Sequence, residues 1–321
     1  MVKVLVLGAT GKQGGATARA LLSLGHGVRA WVRDASAAAA VALAAQGAEL
    51  FVGGGWEAAG APAELARAAA GVDGVFFVSA PSFTDLGAER RGAAHVVAAA
   101  RASPSVRHFV YSSVGGVDRY EELAGWDASA FSTAYWVSKA ETEALVRGAG
   151  FDYYTILRPA EFMSNYTDAA SARFQVAGLL ATGTLRTPMP ADFVAGLVDP
   201  ADIGRAAAAA FADPARLGRA LETPLVAELR TVARILADLG AAAGGKTFRV
   251  STYAPDEARA RAPGDPFVAG QLARLNAGRL VDGDDAIVAQ VRERFGLTFR
   301  SFPEHLAAHR DEVVELYKDA P

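Results

Sequence analysis

The glycine-rich loop near the N-terminus restricts the fold more than any other segment. A continuous apolar run, Val2–Leu7, leads into Gly8-Ala-Thr-Gly11-Lys-Gln-Gly14-Gly15, and a helical pattern follows over 16–24. A valine-rich run of this kind is typical of a strand buried on both faces of a parallel sheet. Glycines at this spacing permit a tight turn and let a phosphate approach the N-terminus of the next helix. The order strand, loop, helix therefore predicts a dinucleotide site.

Short apolar runs alternate with helical patterns over the first half of the chain. The predicted strands are 28–32, 49–52, 75–78, 108–111 and 153–157, and the predicted helices are 36–46, 63–70, 88–101 and 133–147. This alternation indicates βαβ units with right-handed crossovers. We therefore predict an α/β fold, in which residues 1–155 form a Rossmann-type, doubly wound parallel sheet.

The pattern changes beyond about residue 160 and becomes mainly helical. Helices are predicted at 201–212, 225–239, 267–277, 285–295 and 303–317, a short strand at 247–251, and a surface loop at 254–266. We expect residues 156–321 to form a smaller, helix-rich substrate-binding part, with some strands returning to the main sheet.

Composition excludes several functional classes. The 321 residues carry 35 acidic and 32 basic side chains, so no basic excess favours nucleic acid or an anionic membrane. The absence of cysteine excludes thiolate metal sites, disulfides and a cysteine nucleophile. No apolar run is long enough to span a bilayer. We expect a cytoplasmic protein with a small-molecule substrate, no nucleic acid or membrane partner, and a possible homodimer.

The end of the second predicted strand bears on the choice of cofactor. An acidic residue there binds the 2′-hydroxyl of NAD, whereas an arginine suits the 2′-phosphate of NADP. Arg33 stands at this edge, and Lys12 lies in the nearby glycine loop. These residues favour NADP(H). Asp34 is the alternative, because it would serve NAD if the strand ran one residue further.

A tyrosine and a lysine stand four residues apart in the predicted helix 133–147. Tyr135 and Lys139 therefore share one helix face, and Ser112 and Ser113 end the fifth predicted strand. A tyrosine hydroxyl can protonate a developing alkoxide, a lysine ammonium lowers the tyrosine pKa, and a serine can hold the carbonyl oxygen. The set predicts carbonyl reduction. The alternative is a half-buried ring and a solvated charge on an exposed helix.

These segments resemble the short-chain dehydrogenase/reductase superfamily, and within it the NmrA-like branch. Besides the glycine loop, the matching segments are 28–34, 108–113, 138–143, 157–165 and 198–204, in the family's order. Many NmrA-like proteins carry histidine where this chain has Tyr135, so the tyrosine favours catalysis. The stretch 53–56 departs from the family's Gly-Asp, and Trp56 is a candidate to replace its adenine contact.

The resemblance implies a role for each matching position. The pyrophosphate would be lined by Gly8, Thr10, Gly11, Lys12, Gln13 and Gly14, and the 2′-phosphate would meet Arg33. Further cofactor contacts would come from Ser79, Ala80, Pro81, Ser112, Lys139, Pro159 and Ala160. The substrate cleft would be bordered by Phe162, Met163 and Tyr166. Superfamily alignment favours Ser113 as the catalytic serine, with Ser112 as the alternative.

Three functions are compatible with this reading. The first is an NADPH-dependent reductase of a carbonyl, quinone or similar acceptor, in which Ser113, Tyr135 and Lys139 are catalytic. The second is an NADP(H) sensor that binds the cofactor without turnover. The third is a nucleotide-sugar epimerase or dehydratase, which prefers NAD, so Arg33 argues against it. No metal is expected: His305 and His309 are interpreted as part of a solvated helix face, and Glu161 as a surface carboxylate.

Overall fold

The central element is a seven-stranded parallel sheet. In a computed structural model of the chain, the described residues are 1–79, 85, 87–122, 131–277 and 282–321. The sheet strands are β1 (Lys3–Val6), β2 (Gly27–Val32), β3 (Glu49–Val52), β4 (Gly74–Val78), β5 (His108–Ser112), β6 (Tyr153–Pro159) and β10 (Ala220–Leu225). Their spatial order is β10-β6-β5-β4-β1-β2-β3, and every neighbouring pair is parallel. The predicted Rossmann-type sheet is thus confirmed.

Helices cover both faces of this sheet. In chain order the helices of the first half are α1 (Lys12–Ser23), α2 (Ala38–Ala45), α3 (Ala61–Ala69), α4 (Ala88–Ala102) and α5 (Phe131–Gly148). The chain builds outwards from β1 to β3 and then returns to β4 on the other side of β1. The switch point lies between β1 and β4. In open sheets of this type, ligands bind there, beyond the carboxyl ends of the strands.

The alternation of side chains along β1 places them in the two largest of three hydrophobic clusters in the described structure. Val4 and Val6 belong to one cluster, and Leu5 and Leu7 to the other. The first continues into the C-terminal half, where α1 packs against α8 (Pro200–Ala212). A Cβ on Gly204 would lie 2.4 Å from the Ala16 carbonyl carbon, so this close helix approach requires glycine.

The C-terminal half contributes further helices and two small sheets. Its helices are α6 (Ala169–Gln175), α7 (Ala177–Thr182), α8, α9 (Pro214–Leu217), α10 (Val232–Ala242), α11 (Pro255–Arg261), α12 (Pro266–Ala277), α13 (Asp285–Phe295), α14 (Phe302–Ala308) and α15 (Arg310–Tyr317). One small sheet joins β7 (Glu161–Phe162), β9 (Val194–Val198) and β11 (Glu228–Thr231); the other joins β8 (Thr184–Thr187) and β12 (Arg249–Thr252).

Three predictions for this half were wrong in part. The predicted helix 225–239 begins only at Val232, after β11, and Thr231 caps it by accepting the Arg234 N–H. The predicted loop 254–266 contains α11, which starts with Pro255 and carries a Glu257–Arg261 pair one turn apart. The predicted helix 303–317 is two helices, because the backbone leaves the helical region at His309.

Within the described ranges, no helix combines the length and apolar character needed to cross a membrane.

Candidate functional site

The glycine loop after β1 leaves its backbone groups open to a ligand. Gly8 has a φ of 72°, and the Gly11 N–H donates to the Gly8 carbonyl at 2.9 Å. A Cβ on Gly14 would lie 2.2 Å from that same carbonyl oxygen, so only glycine fits. Gly11 caps α1 with no side-chain hydrogen bond. The first N–H groups of α1 therefore remain available to an anion.

The end of β2 presents an unpaired cation. Arg33 is exposed and makes no hydrogen bond or ion pair with any described residue. Asp34 instead accepts hydrogen bonds from Ser36 Oγ and N–H, at 2.6 and 2.8 Å, and these bonds lower its pKa. Lys12 is also engaged, because its ammonium contacts Ser171 and pairs with Asp168 at 3.0 Å.

The two serines at the end of β5 differ in their partners. Ser112 Oγ donates to Gln13 Oε1 at 2.5 Å, which ties the strand to the glycine loop. Ser113 Oγ is buried and has no hydrogen-bond partner among the described residues, as is also true of His108 Nδ1, Trp136 Nε1 and Ser164 Oγ. A buried hydroxyl without a partner is costly, so a ligand oxygen that accepted a hydrogen bond from Ser113 Oγ would recover that cost.

Tyr135 and Lys139 lie together on α5, as their spacing predicts. The Lys139 ammonium is 5.6 Å from the centroid of the Tyr135 ring. Lys139 is only 2% exposed, so the alternative of a solvated charge is wrong. Burial raises the pKa of Tyr135; the charge of Lys139 lowers it and that of Glu89 raises it further.

Glu89, in the first turn of α4, is a site residue that the sequence did not indicate. Its carboxylate lies 2.7 Å from Lys139 Nζ and accepts hydrogen bonds from Ser79 Oγ and Ser138 Oγ, at 2.5 and 2.8 Å. Burial raises the pKa of Glu89, but Lys139 and the two hydroxyls outweigh it and leave the pKa below its usual value. Nothing in a helix-starting glutamate distinguishes a buried counter-ion from an ordinary first-turn acid.

The residues at the end of β6 and beyond it were expected to flank the nicotinamide or to border the substrate cleft, and most of them are buried. Pro159 and Ala160 are buried, and the Ala160 N–H donates to the Leu225 carbonyl at 3.1 Å. Phe162 is half-buried, and Met163 lies wholly in the core. Tyr166 is 5% exposed.

Glu161 is paired rather than a surface carboxylate, which corrects the sequence-based expectation. It accepts from the Tyr166 hydroxyl at 2.7 Å and pairs with Arg274 of α12. Arg274 also donates to both carboxylate oxygens of Asp282, at 2.8 and 2.9 Å. Glu161 is therefore held in an ion-pair cluster beside the site.

His305 is likewise buried and not part of a solvated face. Its Nδ1 donates to Asp199 at 2.8 Å, and its Nε2 lies 2.9 Å from Thr167 Oγ1. These polar partners make burial of the ring favourable. Across the described ranges, no three acidic or histidine side chains come together as a metal site would require.

Three further residues, Ala80, Pro81 and Trp56, were also predicted to contact the cofactor. Ala80 and Pro81 lie outside the described residues. Trp56 is half-buried and meets Phe77 edge-on, with 5.7 Å between ring centroids. Its carbonyl lies 2.9 Å from His95 Nδ1, so Trp56 is packed against α4 and Phe77 of β4.

The sequence matches the model of the NmrA-like family over residues 2–262. A comparison with curated proteins gives no match.

Three solved structures illustrate the similarity of fold. NmrA, a negative transcriptional regulator, in complex with NADP is 18% identical, covers 99% of this chain and 95% of its own, and has a TM-score of 0.70. The NADPH-dependent quinone oxidoreductase QOR2 from Escherichia coli, complexed with NADPH, is 23% identical over 95% of this chain and 99% of its own, with a TM-score of 0.69. The Citrobacter sp. triphenylmethane reductase complexed with NADP(H) is 21% identical over 96% and 100%, with a TM-score of 0.69.

Proposed function

The chain belongs to the NmrA-like family, and from this premise we propose that it is an NADPH-dependent reductase of a carbonyl, quinone or similar small acceptor. The observation that carries the proposal is the pairing of Tyr135 with the buried ammonium of Lys139, at 5.6 Å from the ring. A tyrosine beside a buried cation is suited to transfer a proton to a reacting oxygen. Similar folds that bind NADPH and act as reductases support the same reading.

The residues at the sheet edge fit a dinucleotide. Any side chain at position 14 would collide with the loop, because a Cβ on Gly14 would lie 2.2 Å from the Gly8 carbonyl oxygen. The glycine therefore keeps the space beside the loop open. The pyrophosphate would lie on the loop formed by Gly8, Thr10, Gly11, Gln13 and Gly14, against the open N-terminus of α1. The unpaired Arg33 would bind the 2′-phosphate, which favours NADPH over NADH.

Tyr135, Lys139 and Ser113 have different roles in the proposed reduction. NADPH, when bound, would supply the hydride that reduces the carbonyl carbon of the acceptor. Tyr135 donates its hydroxyl proton to the carbonyl oxygen and is left as a phenolate, which Lys139 stabilises. Ser113 holds that oxygen through its hydroxyl, which has no hydrogen-bond partner among the described residues. Ser112 is the weaker candidate, because its hydroxyl already donates to Gln13.

A cofactor sensor without turnover is the second candidate. It is favoured by the contacts of Lys139, whose ammonium is engaged by Glu89 and Ser79. A lysine held in this way has no donor left for a ribose hydroxyl unless these contacts change. NmrA, which has a similar fold, is a transcriptional regulator.

The test is NADPH consumption with a panel of quinones, aldehydes and ketones, for the wild-type chain and for Tyr135→Phe. We expect turnover with at least one acceptor and a loss of about 10²- to 10⁴-fold in kcat in the variant. NADPH affinity should stay the same, because the ring is retained.

Tyr154→Phe is the matched control. Tyr154 lies near the start of β6, at the opposite end of the strand from Ala160, and donates to Glu222 at 3.3 Å. Its loss should leave the rate unchanged. Unaltered turnover in Tyr135→Phe would contradict the assigned proton donor, and tight NADPH binding without turnover on any acceptor would favour the sensor.

A further inference from the structure

A buried carboxylate faces the lysine of the site, and nothing in the proposed chemistry yet uses it. We propose that Glu89 is a positioning residue, which fixes Lys139 and controls how strongly the Lys139 ammonium acts on the Tyr135 hydroxyl. The inference deepens the proposed function and rests on Tyr135 as its proton donor.

The geometry shows how Glu89 fixes the lysine. An ammonium has three N–H donors, and Lys139 has three acceptors: Glu89 at 2.7 Å, the Ser79 carbonyl at 2.8 Å and Ser79 Oγ at 3.1 Å. Ser79 Oγ donates in turn to Glu89 at 2.5 Å. Glu89 therefore holds Lys139 both directly and through Ser79, and its second oxygen holds Ser138 of the same helix at 2.8 Å.

The charges of the pair oppose each other at Tyr135. Both side chains are 3% exposed, so water screens neither of them. The Lys139 ammonium lies 5.6 Å from the Tyr135 ring and only 2.7 Å from the Glu89 carboxylate. The carboxylate thus offsets much of the field that would favour a phenolate. Consistent with this, the pKa of Tyr135 is raised, by burial first, while Lys139 lowers it and Glu89 raises it.

Most other charged groups on the elements around α5 are held in ion pairs. Among the described residues of α4, α12 and the 3-10 segment 117–122, the pairs are Arg90–Glu141, Arg91–Asp85, Arg274–Asp282, Arg119–Glu122 and Asp118–Arg158, whereas Arg101 and Glu121 form none. Besides burial, the pKa of Tyr135 is affected by Lys139, Glu89 and Tyr111 of β5, and neither Arg101 nor Glu121 is among these causes. The change expected on removing Glu89 is therefore assigned to the Lys139–Glu89 pair.

The chain offers a matched control one turn further along α5. Glu143 is 2% exposed and forms a two-point ion pair with Arg158, at 2.7 and 3.0 Å. Like Glu89, Glu143 is a buried glutamate paired with a cation, and it lies on the same helix as Lys139. It does not contact Lys139 in the described structure. A purely structural role for Glu89 predicts that Glu89→Gln and Glu143→Gln behave alike.

The experiment is a tyrosinate absorbance titration of the protein without cofactor. The contribution of Tyr135 is the difference between each protein and the same protein carrying Tyr135→Phe. We expect Glu89→Gln to lower the pH at which Tyr135 ionises by about one unit or more, because the ammonium is then unopposed. Glu143→Gln should not change the pH at which Tyr135 ionises. The alkaline limb of the reductase rate should move with the Tyr135 titration.

The outcomes separate this inference from the proposed function. An unchanged Tyr135 titration in Glu89→Gln, or an equal shift in Glu143→Gln, would overturn the role of Glu89. Absence of turnover would instead overturn the reductase and leave the titration readable. If Glu89→Gln does not fold, Glu89→Asp is the second variant, because its shorter side chain moves the carboxylate away from Lys139. We expect it to lower the pH at which Tyr135 ionises by a smaller amount. No shift in that variant would also overturn the inference.

Discussion

Two sets of polar side chains differ in whether they have hydrogen-bond or ion-pair partners within the described structure. The open groups, Arg33 and Ser113 beside the glycine loop, have no side-chain partner within the described structure. The internally paired groups form two clusters in the C-terminal half, Glu161–Arg274–Asp282 and Thr167–His305–Asp199. Both sets carry residue types that are common in active sites.

This difference separates binding from folding. A polar group left without a partner keeps its interaction free energy for a ligand, whereas a buried group that is paired within the chain stabilises one conformation. Changes in the open groups should therefore alter ligand binding, of the cofactor for Arg33 and of the acceptor for Ser113, with little effect on stability. Changes in the internally paired groups should do the reverse.

The largest effect is expected for Arg274→Met. It removes the cation between Glu161 and Asp282, and leaves two carboxylates without a counter-charge where Asp282 is 2% exposed. We expect a loss of about 3–5 kcal/mol in the free energy of unfolding by urea. NADPH affinity of the folded variant should stay within about threefold of wild type.

Arg90→Met is the control for this variant, because Arg90 and its partner Glu141 are both exposed. It should change the free energy of unfolding by less than about 1 kcal/mol. An equal loss in both variants would remove the distinction between buried and exposed pairs.

A smaller effect is expected from the second cluster in acid. Burial raises the pKa of Asp199, but His305, the Ala201 N–H and Arg300 outweigh it and lower the pKa from 3.8 to about 2. A lowered pKa in the folded state stabilises the protein above about pH 4, and that stability is lost as the pH falls towards 2. The loss should reach about 2 kcal/mol, measured by urea unfolding at decreasing pH.

Asp199→Asn should make the free energy of unfolding less dependent on pH in this window. Asp202, also buried, is the control, because burial raises its pKa instead. Asp202→Asn should still lose free energy of unfolding as the pH falls towards 2, as the wild-type chain does. If Asp199→Asn kept the full acid loss, the assigned role of the Asp199–His305 pair would be wrong.

The smallest effect is expected for Lys12→Met. Lys12 belongs to the glycine loop by sequence, but its ammonium already pairs with Asp168 at 3.0 Å, with both side chains partly exposed. We expect NADPH affinity to fall by less than about threefold and the free energy of unfolding to change by less than about 1 kcal/mol. A loss of tenfold or more in a fluorescence titration would place Lys12 among the open groups.

The sequence predicted the parts of the molecule that depend on local pattern. The strands of the first half and the glycine loop follow from apolar runs and from conformations that only glycine adopts, such as φ of 72° at Gly8. Tyr135 and Lys139 share a helix face by spacing alone. The helix–helix contact through Gly204 depends on tertiary packing, so no local pattern indicated it.

The remaining features depend on partners that are distant in the chain. Glu89 pairs with Lys139 fifty residues later, and Glu161 pairs with Arg274 across more than a hundred. His305 was interpreted as solvated because its helix is charged, but its ring is turned inward onto Thr167 and Asp199. A single sequence does not report which charged side chains lose their water on folding.

The assignment of Arg33 to the 2′-phosphate is tested most directly by a fluorescence titration with NADPH and with NADH, for the wild-type chain and for Arg33→Ala. We expect the wild-type chain to bind NADPH at least about tenfold more tightly than NADH, a difference of about 1.4 kcal/mol. Arg33→Ala should lose that preference without losing stability, because Arg33 is exposed and makes no hydrogen bond or ion pair within the described structure. Tighter binding of NADH by the wild-type chain, or an unchanged preference in Arg33→Ala, would contradict this assignment.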